Sequence, residues 1–546
     1  MTSEYGGGAQ GERGGGEPAG VPEHQQWHAP HNPWLIAFVT TIATFMEILD
    51  TTIVNVALPH IAGNLGADVN DSTWVLTSYL VSNAIVLPLT AWFASLMGRR
   101  NFYMVCVALF TASSFLCGFA PTLGALVFFR LLQGMGGGGL QPMSQAILVD
   151  TFPARQRGMA MAVFGMTVVT APIIGPTLGG WITDNFSWRW IFYINIPVGL
   201  LSLTVVPRFV SDPPYFQRRK GARRFRADYI GLALIALGLG SLQIVLDLGE
   251  RKGWFDSRFI VSFAMVAALS LIGAVFWEIF HKDPILDVRQ LRERNLGFSS
   301  MIMFFFASVL YGSTIVMTLF MQVLLGYSSL QSGLALSPGG VASLLMLPIV
   351  GVLTSRLDAR VLISFGMIMI FYGVLKMGQF SLDVDFRTVM MTRIIQSCGL
   401  AFVFVPLSDL AFSYVPREAR NNASSLNSVA RNVGGSVGIA VATAFTSRWS
   451  QVHQTFLVGH LTPYDADYTS MLQSTTQMIA AQVGDPAAAA MQAQTMAYGI
   501  VRQQAATLAF VDVFRFSAFV ALCTIPMIWL MRKKPHHAGP TEIAMH

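Results

Sequence analysis

Charge is what this sequence has least of. Only 12% of its 546 residues are Asp, Glu, Lys or Arg against 53% hydrophobic, and the mean hydropathy is +0.54. No soluble interior hides that much apolar surface, so a string of soluble domains is excluded and the length divides better into bilayer spans of about 20 residues each. Cysteine is scarce: Cys106, Cys117, Cys398 and Cys523 all fall inside apolar segments and read as small apolar filler, with no disulfide framework. The ten histidines lie mostly in tails and loops, and His536-His537 alone is weak evidence for a metal, so no metal or cofactor is expected. A Walker-type phosphate loop is missing, which argues against ATP as a fuel. The glycine run Gly136 to Gly139 lacks the Lys-Ser/Thr ending and sits inside an apolar span. The first 30 residues show no signal-peptide pattern, and their stretch GGGAQGERGGGEPAG reads as a flexible tail.

What is present is a series of apolar runs with short polar punctuation. They predict an all-α integral membrane protein with fourteen spans, at about 34–59, 73–97, 102–120, 123–149, 158–183, 188–208, 228–248, 259–280, 296–326, 332–355, 361–380, 387–413, 421–447 and 507–531. With both ends on the cytoplasmic side, the inner loops and tails hold 23 basic residues, among them Arg155, Arg417 and the RRKGARRFR cluster, against seven outside. That bias sets the orientation by the positive-inside rule, and it makes the pI of about 9.2 a topological signal, with no nucleic acid as a partner.

The chain repeats itself. Span 4 and its exit read RLLQGMGGGGLQPMSQ…VDTFPARQRGMA, and span 12 and its exit read RIIQSCGLAFVFVPLSD…FSYVPREARNNA, so Arg130 aligns with Arg393, Gln133 with Gln396, Pro153 with Pro416 and Arg157 with Arg420. Paired halves of this kind favour a rocking carrier over a receptor or enzyme. The predicted organisation is a tail (1–33), a six-helix bundle (34–208), a linker with two inserted spans (209–295), a second six-helix bundle with a long outer loop at 448–506 (296–531), and a tail (532–546).

Span 1 nevertheless keeps two acids, Glu47 and Asp50. On a helix Thr40, Thr44, Glu47 and Thr51 share a stripe with Asp50 about 60° away, a face that cannot meet lipid. An ionised group at the bilayer centre costs about 2.5–3.5 kcal/mol on insertion scales, so each acid must face water, protein or a cation. Five basic residues remain inside spans: Arg130, Lys376, Arg393, Arg431 and Arg515. Counting helix rise, Asp50 and Arg130 both fall about 10–14 Å below the outer boundary, so they are expected to pair, while Glu47 lies one turn deeper near the midplane. Span 4 presents its own stripe, Arg130, Gln133, Gly137, Gln141 and Ser144. Burial favours a protonated carboxyl and a nearby arginine favours the ionised one, so a motion that alters either loads or releases a proton. A static pair that locks helix packing is the plainer alternative, and either acid could also bind a cation.

Span 5 reads APIIGPTLGGWI, with Ala171, Gly175 and Gly179 at every fourth position and Pro172 and Pro176 between them. Small residues at that spacing allow close helix contact and the prolines bend the outer half, whether for a gate or for ordinary packing. The outer stretch before span 14 is rich in Ala and Gln and suited to helix, fitting docking, lateral substrate entry or a passive cover.

At these residues the chain resembles the fourteen-span drug:proton antiporters of the major facilitator superfamily, most closely the EmrB-type multidrug exporters, from about residue 34 to 531. The span 1 signature L-D-x-T-x-V-N-V-A-L-P appears from Leu49 to Pro59, R-x-x-Q-G as Arg130, Gln133 and Gly134, and the antiporter motif G-P-x-x-G-G as Gly175, Pro176, Gly179 and Gly180. The resemblance implies proton-driven export with Asp50 and Arg130 in coupling, span 5 in the outer gate, and a periplasmic adaptor and outer-membrane channel as partners. One departure stands out: where the superfamily's inner 2–3 loop has G-x-L-A-D-R-x-G-R-R, this chain has AWFASLMGRR, with Ala91 for the glycine and Ser95 for the acid, though Arg99 and Arg100 remain as gate residues. The second half keeps Asp358 between Arg356 and Arg360 in its equivalent loop.

The expected function is proton-coupled export of hydrophobic or amphipathic compounds across an inner membrane, with no enzymatic activity. The alternatives are a narrow-substrate exporter or symporter, and a membrane-embedded sensor. Candidate substrate contacts are Glu47, Gln133, Gln141 and Asn83, with Phe305 and Tyr311 for an apolar cavity.

Overall fold

The computed structural model describes residues 32–153, 156–212, 228–282, 284–416, 419–462 and 464–533. Most of the expected N-terminal tail, the RRKGARRFR cluster, Arg155, Arg417 and nearly all of the C-terminal tail lie outside them. All regular structure among the described residues is helical: α1 (Pro33–Leu65), α2 (Trp74–Met97), α3 (Arg99–Phe119), α4 (Leu123–Thr151), α5 (Arg157–Asn185), α6 (Trp190–Phe209), α7 (Tyr229–Leu248), α8 (Arg258–Phe280), α9 (Arg294–Leu324), α10 (Ser329–Arg356), α11 (Ala359–Met377), α12 (Phe386–Ala411), α13 (Arg420–His460), α14 (Ala466–Val483) and α15 (Pro486–Trp529).

Local chemistry sets many of the ends. Asn32 caps α1 by accepting from the Trp34 N–H at 2.9 Å, with Pro33 in the first turn, and Gly66 closes it in the left-handed region at φ 60°. Ser328 and Gln331 form a reciprocal capping box at the start of α10. Asp358 caps α11 and pairs with Arg360 at 3.0 Å. Partial burial pushes that carboxyl up, but the Arg360 hydrogen bonds outweigh it and hold the group below the usual carboxylate range.

By length and composition, twelve helices among the described residues can cross a bilayer, and α5 makes a thirteenth if its two parts, Arg157–Pro172 and Ile174–Asn185, bent by 42°, are one span. Pro172 and Pro176 lie at that bend, where each removes a backbone donor. The remaining expected span corresponds to α13, which is 41 residues long but polar in its first half. Arg420, Asn421, Asn427 and Arg431 there are buried, so the polarity is turned into the protein. The outer loop expected at 448–506 is mostly helix: α13 continues to His460, α14 follows, and α15 starts at Pro486.

The helix contacts repeat. In the first half α1 packs on α4, α5 and α6, α3 on α4 and α6, and α2 on α4; in the second, α9 packs on α12, α13 and α15, α11 on α12 and α15, and α10 on α12. The halves meet where α5 lies along α10 and where α13 lies along α2 and α4. Helices α7 and α8 pair with each other, and α7 rests on α2 and α13. Leu269, Phe276 and Phe280 of α8 point outward, the surface a lipid-facing helix presents.

Glycine permits the closest approaches. The Gly136–Gly139 run breaks α4 and lets it lie against two backbones: a Cβ on Gly136 would meet Phe110 N of α3 at 2.6 Å, and one on Gly138 would meet Asn83 O of α2 at 2.7 Å. Between α9 and α13, a Cβ on Gly438 would run into the Ser308 backbone. Gly438→Ala is therefore expected to destabilise the protein by about 1–3 kcal/mol, the usual range for overpacking. Gly63→Ala, where a Cβ meets nothing within 4 Å, is expected to be nearly neutral. Melting curves of the two purified variants check this, and equal midpoints would show that the α9–α13 approach is not the constraint.

Candidate functional site

The helical stripe on α4 fits residue by residue onto α1. At its outer end Arg130 Nη1 donates to Asp50 Oδ2 at 2.5 Å, with both side chains 0% exposed. Gln133 Nε2 and, from α6, Asn195 Nδ2 donate to Asp50 Oδ1 at 3.0 and 2.9 Å. Arg130 Nε donates to the Val75 carbonyl at 3.0 Å, and its guanidinium lies 4.3 Å from the Tyr79 ring centroid. The charges cancel and most of the hydrogen-bonding capacity around them is used, the condition for tolerating an ion pair away from water. Gln133, expected as a substrate contact, is committed elsewhere: its amide donates to Asp50, its carbonyl accepts from Arg130 at 2.8 Å, and it is fully buried inside the first half.

One turn along α1, Glu47 accepts from Gln141 Nε2 at 2.7 Å, Tyr79 Oη at 3.1 Å and Asn83 Nδ2 at 3.1 Å. Tyr79 thus touches both acidic sites, with its hydroxyl on Glu47 and its ring on Arg130. No Lys or Arg pairs directly with Glu47 among the described residues. The positive charge stands one amide away. Arg431 Nη2 of α13 donates to the Gln141 carbonyl, and Asn432 Nδ2 donates to Asn83 Oδ1 at 3.4 Å. Glu47 in the first half is therefore linked to the second half through two amides. Farther inward, Ser144 donates to the Thr40 carbonyl at 2.9 Å and shares a 2.7 Å hydrogen bond with Thr44.

Of the two expected apolar contacts, only Tyr311 belongs here. It lies against Gly435 of α13, within electrostatic reach of Arg431 and Glu47. Phe305 meets Phe304 edge-on at 5.3 Å, and none of its described contacts joins it to the cluster. Phe164 and Phe404 stack across the halves at 6.1 Å, with Arg431 5.9 Å from the Phe164 ring.

Toward the inner end, Asp150 of α4 is held between Arg99 of α3 and Arg420 of α13, the latter at 2.5 Å. Ser95, in place of the usual acid, only bonds back to its own helix at Trp92 O, 2.6 Å away. The buried acid at this end of α4 is Asp150. Arg100 contributes its backbone N–H, which donates to Asp212 at 2.9 Å. Elsewhere along α4, Ser424 of α13 donates to the Pro142 carbonyl at 2.9 Å. On α5, Gly175 approaches Thr52, a Cβ on Gly179 would meet Ile53 O at 3.0 Å, and one on Gly180 would meet Val56 at 3.9 Å, so the small face of the bent helix rests on the outer part of α1. Pro172 and Pro176 are half-buried at the bend.

The sequence pattern described as Major Facilitator Superfamily matches residues 40–450, about three-quarters of the chain. The chain belongs to this superfamily. It is 34% identical over 507 residues to the fatty acid resistance protein FarB of Neisseria gonorrhoeae, covering 92% of this chain and 97% of that one. It is 35% identical over 505 residues to the multidrug export protein EmrB of Haemophilus influenzae, covering 91% and 95%. Among solved structures, the human organic anion transporter MFSD10 matches in fold with a TM-score of 0.57 at 13% identity, covering 90% of this chain and all of that one. The superfamily consists of transporters rather than enzymes, and this member is a multi-pass membrane protein.

As in the sequence repeat, Arg393 Nη1 donates to Gln396 Oε1 at 2.7 Å, matching the Arg130–Gln133 bond at 2.8 Å. At the exits of spans 4 and 12, Arg157 Nε donates to the Val149 carbonyl at 3.1 Å and Arg420 binds Asp150. Asn195, Tyr79 and Asp150 were not singled out by the sequence reading, and Arg431 was named there only as one of five basic residues inside spans. The signals were a lone Asn in an apolar span, a basic residue inside span 13, and an acid at the inner edge of span 4.

If the buried pair is coupled, Arg130→Met leaves the Asp50 carboxylate without its cation and costs about 3–5 kcal/mol, and Asp50→Asn leaves the cation alone at a similar cost. The double variant, with neither charge stranded, is expected to cost less than the sum. Melting of the four purified proteins measures this, and strictly additive losses would mean that the two groups do not stabilise one another.

Proposed function

We propose that this protein is a proton-coupled antiporter that exports hydrophobic or amphipathic drugs and toxic compounds across a bacterial inner membrane. In this reading it has fourteen crossings arranged as 6+2+6 and both termini cytoplasmic. The names of its relatives, a fatty acid resistance protein and a multidrug export protein, and the basic residues of the expected inner loops support this. The observation that carries the reading is the linkage of the two acids: Asp50 with Arg130, and Glu47 with Arg431 of the other half through Gln141, with Tyr79 shared between them.

A proton on Asp50 removes the charge that Arg130 and two amides surround, which loosens α1 from α4. One on Glu47 weakens an acceptor for Gln141 and Asn83, the two amides that also hold α13, and so changes the contact between halves. Protonation thereby biases which side of the carrier opens, with Asp150 between Arg99 and Arg420 as the inner latch and bent α5 against α1 as the outer gate. Each inward proton is worth about 2.3 kcal/mol per 100 mV, enough to hold a substrate gradient of roughly fortyfold. Substrate sits between the halves beside Glu47, Gln141 and Tyr311. The outward continuations of α13 and α15, with α14 between them, are assigned to docking a periplasmic adaptor that feeds an outer-membrane channel.

In inside-out vesicles a protonophore is expected to abolish dye transport by the natural protein, and Asp50→Asn is expected to insert normally yet lose proton-driven dye transport. Transport by that variant that still followed an imposed pH gradient would remove Asp50 from the coupling, and protonophore-insensitive transport by the natural protein would remove the proton.

A further inference from the structure

The two halves use one motif on unequal terms. In the first, Arg130 and Gln133 surround the carboxylate of Asp50. In the second, Gln396 Nε2 donates to Ser313 Oγ at 2.8 Å and Arg393 Nη1 to Thr314 Oγ1 at 3.1 Å, so a hydroxyl stands on α9 where the acid stands on α1. Arg393 is 3% exposed, and neither its Nε nor the hydroxyl of buried Ser397 finds a hydrogen-bond partner among the described residues.

Nor is there a counter-charge within reach among the described residues: Asp385, just before the first turn of α12, is eight residues or about 12 Å away along the helix. Helices α9, α10 and α11 contain no Asp or Glu, and α12 has only Asp409, sixteen residues farther on, about 24 Å along the helix. Asp512 of α15 is engaged by His453 at 2.7 Å and Arg515 at 3.6 Å. The other buried arginines of this half, Arg420 and Arg431, differ, since Arg420 pairs with Asp150 and Glu47 stands one amide away from Arg431. A guanidinium does not shed its proton to escape burial, so its charge must be met by another.

We propose that Arg393, Gln396, Ser313 and Thr314 form a binding site for a small inorganic monovalent anion, which supplies in the second half the charge that Asp50 supplies in the first. Size follows from packing. Gln396, Ser313 and Ser397 are 0% exposed and Arg393 3%, an enclosure that suits a small ion rather than an organic acid with a tail. The donors are a guanidinium, hydroxyls that can rotate, and an amide N–H, a set suited to a halide. This site does not depend on the exporter reading.

The test is melting of the full-length purified protein as chloride replaces gluconate at constant ionic strength. The natural protein should show an upward, saturable shift in midpoint, as a ligand bound only by the folded state produces. Ser313→Asp builds the carboxylate in, so its midpoint should be higher at zero chloride and its shift lost. Arg393→Met should lose the shift as well. No shift in the natural protein, or an undiminished one in either variant, overturns the site. Chloride-35 NMR on the natural protein needs no variant: the line should broaden and sharpen again on adding bromide, and an unbroadened line overturns the proposal equally.

Discussion

Arg130 and Asp50 lie 2.5 Å apart where neither is tolerable alone, and the arrangement of the first half follows from keeping them together. Removing one partner of a buried pair costs about 3–5 kcal/mol, comparable with much of a domain's net stability, so the helices bearing them have little freedom to slide. The pair sets the register of α4 on α1. With that register set, Gly137 faces Glu47, Gln141 reaches its carboxylate, and Ser144 reaches Thr40 and Thr44, each about one turn farther along. Tyr79 of α2 is drawn in because a ring over the guanidinium and a hydroxyl on Glu47 both suit a residue at one position.

Contacts between halves obey the same constraint at lower strength. Asp150 needs positive charge at the inner edge and takes it from both halves, Arg99 and Arg420. Glu47 takes no direct charge; amides relay its negative end to Arg431. A relay through Gln141 is easier to break than an ion pair, because an amide keeps partners of either sign, and that suits a contact that must separate and re-form in the proposed cycle. The ion-paired contact at Asp150 and the amide relay at Glu47 are therefore different kinds of bond.

The helices, their order and the paired halves were legible in the sequence because a bilayer imposes span length, and a stripe at helical spacing says which face turns inward. The α4 stripe and the repeat of Arg130-Gln133 in Arg393-Gln396 were legible for that reason, since each is a pattern within one helix. What lay beyond reach was which face met which. Arg431 and Gln141 are 290 residues apart, and nothing local to either names the other. The polarity of α13 hid its burial: a helix that keeps Arg420, Asn427 and Arg431 inside the protein reads as a poor span by composition. Asp150 was overlooked because the superfamily pattern places an acid at the end of α2, where Ser95 stands, whereas here the charge paired with Arg99 comes from the end of α4.

The repeat makes the asymmetry instructive. Two halves with the same helix pairings and the same Arg-Gln pair, one with an acid and one with a hydroxyl facing it, cannot both titrate: Ser313 has no proton to exchange near neutral pH, and Arg393 does not release its own. In the proposed cycle proton handling is therefore confined to the first half, while the second contributes fixed positive charge through Arg420 and Arg431 at the interface. Fixed charge on one side and titratable charge on the other is sufficient to make their mutual attraction depend on proton occupancy. Had both halves kept an acid at this position, protons could have loosened either bundle internally without changing the contact between them. The loss of the acid in the second half leaves the interface, rather than the bundle interior, as the place where a proton bound in the first half is felt by the second.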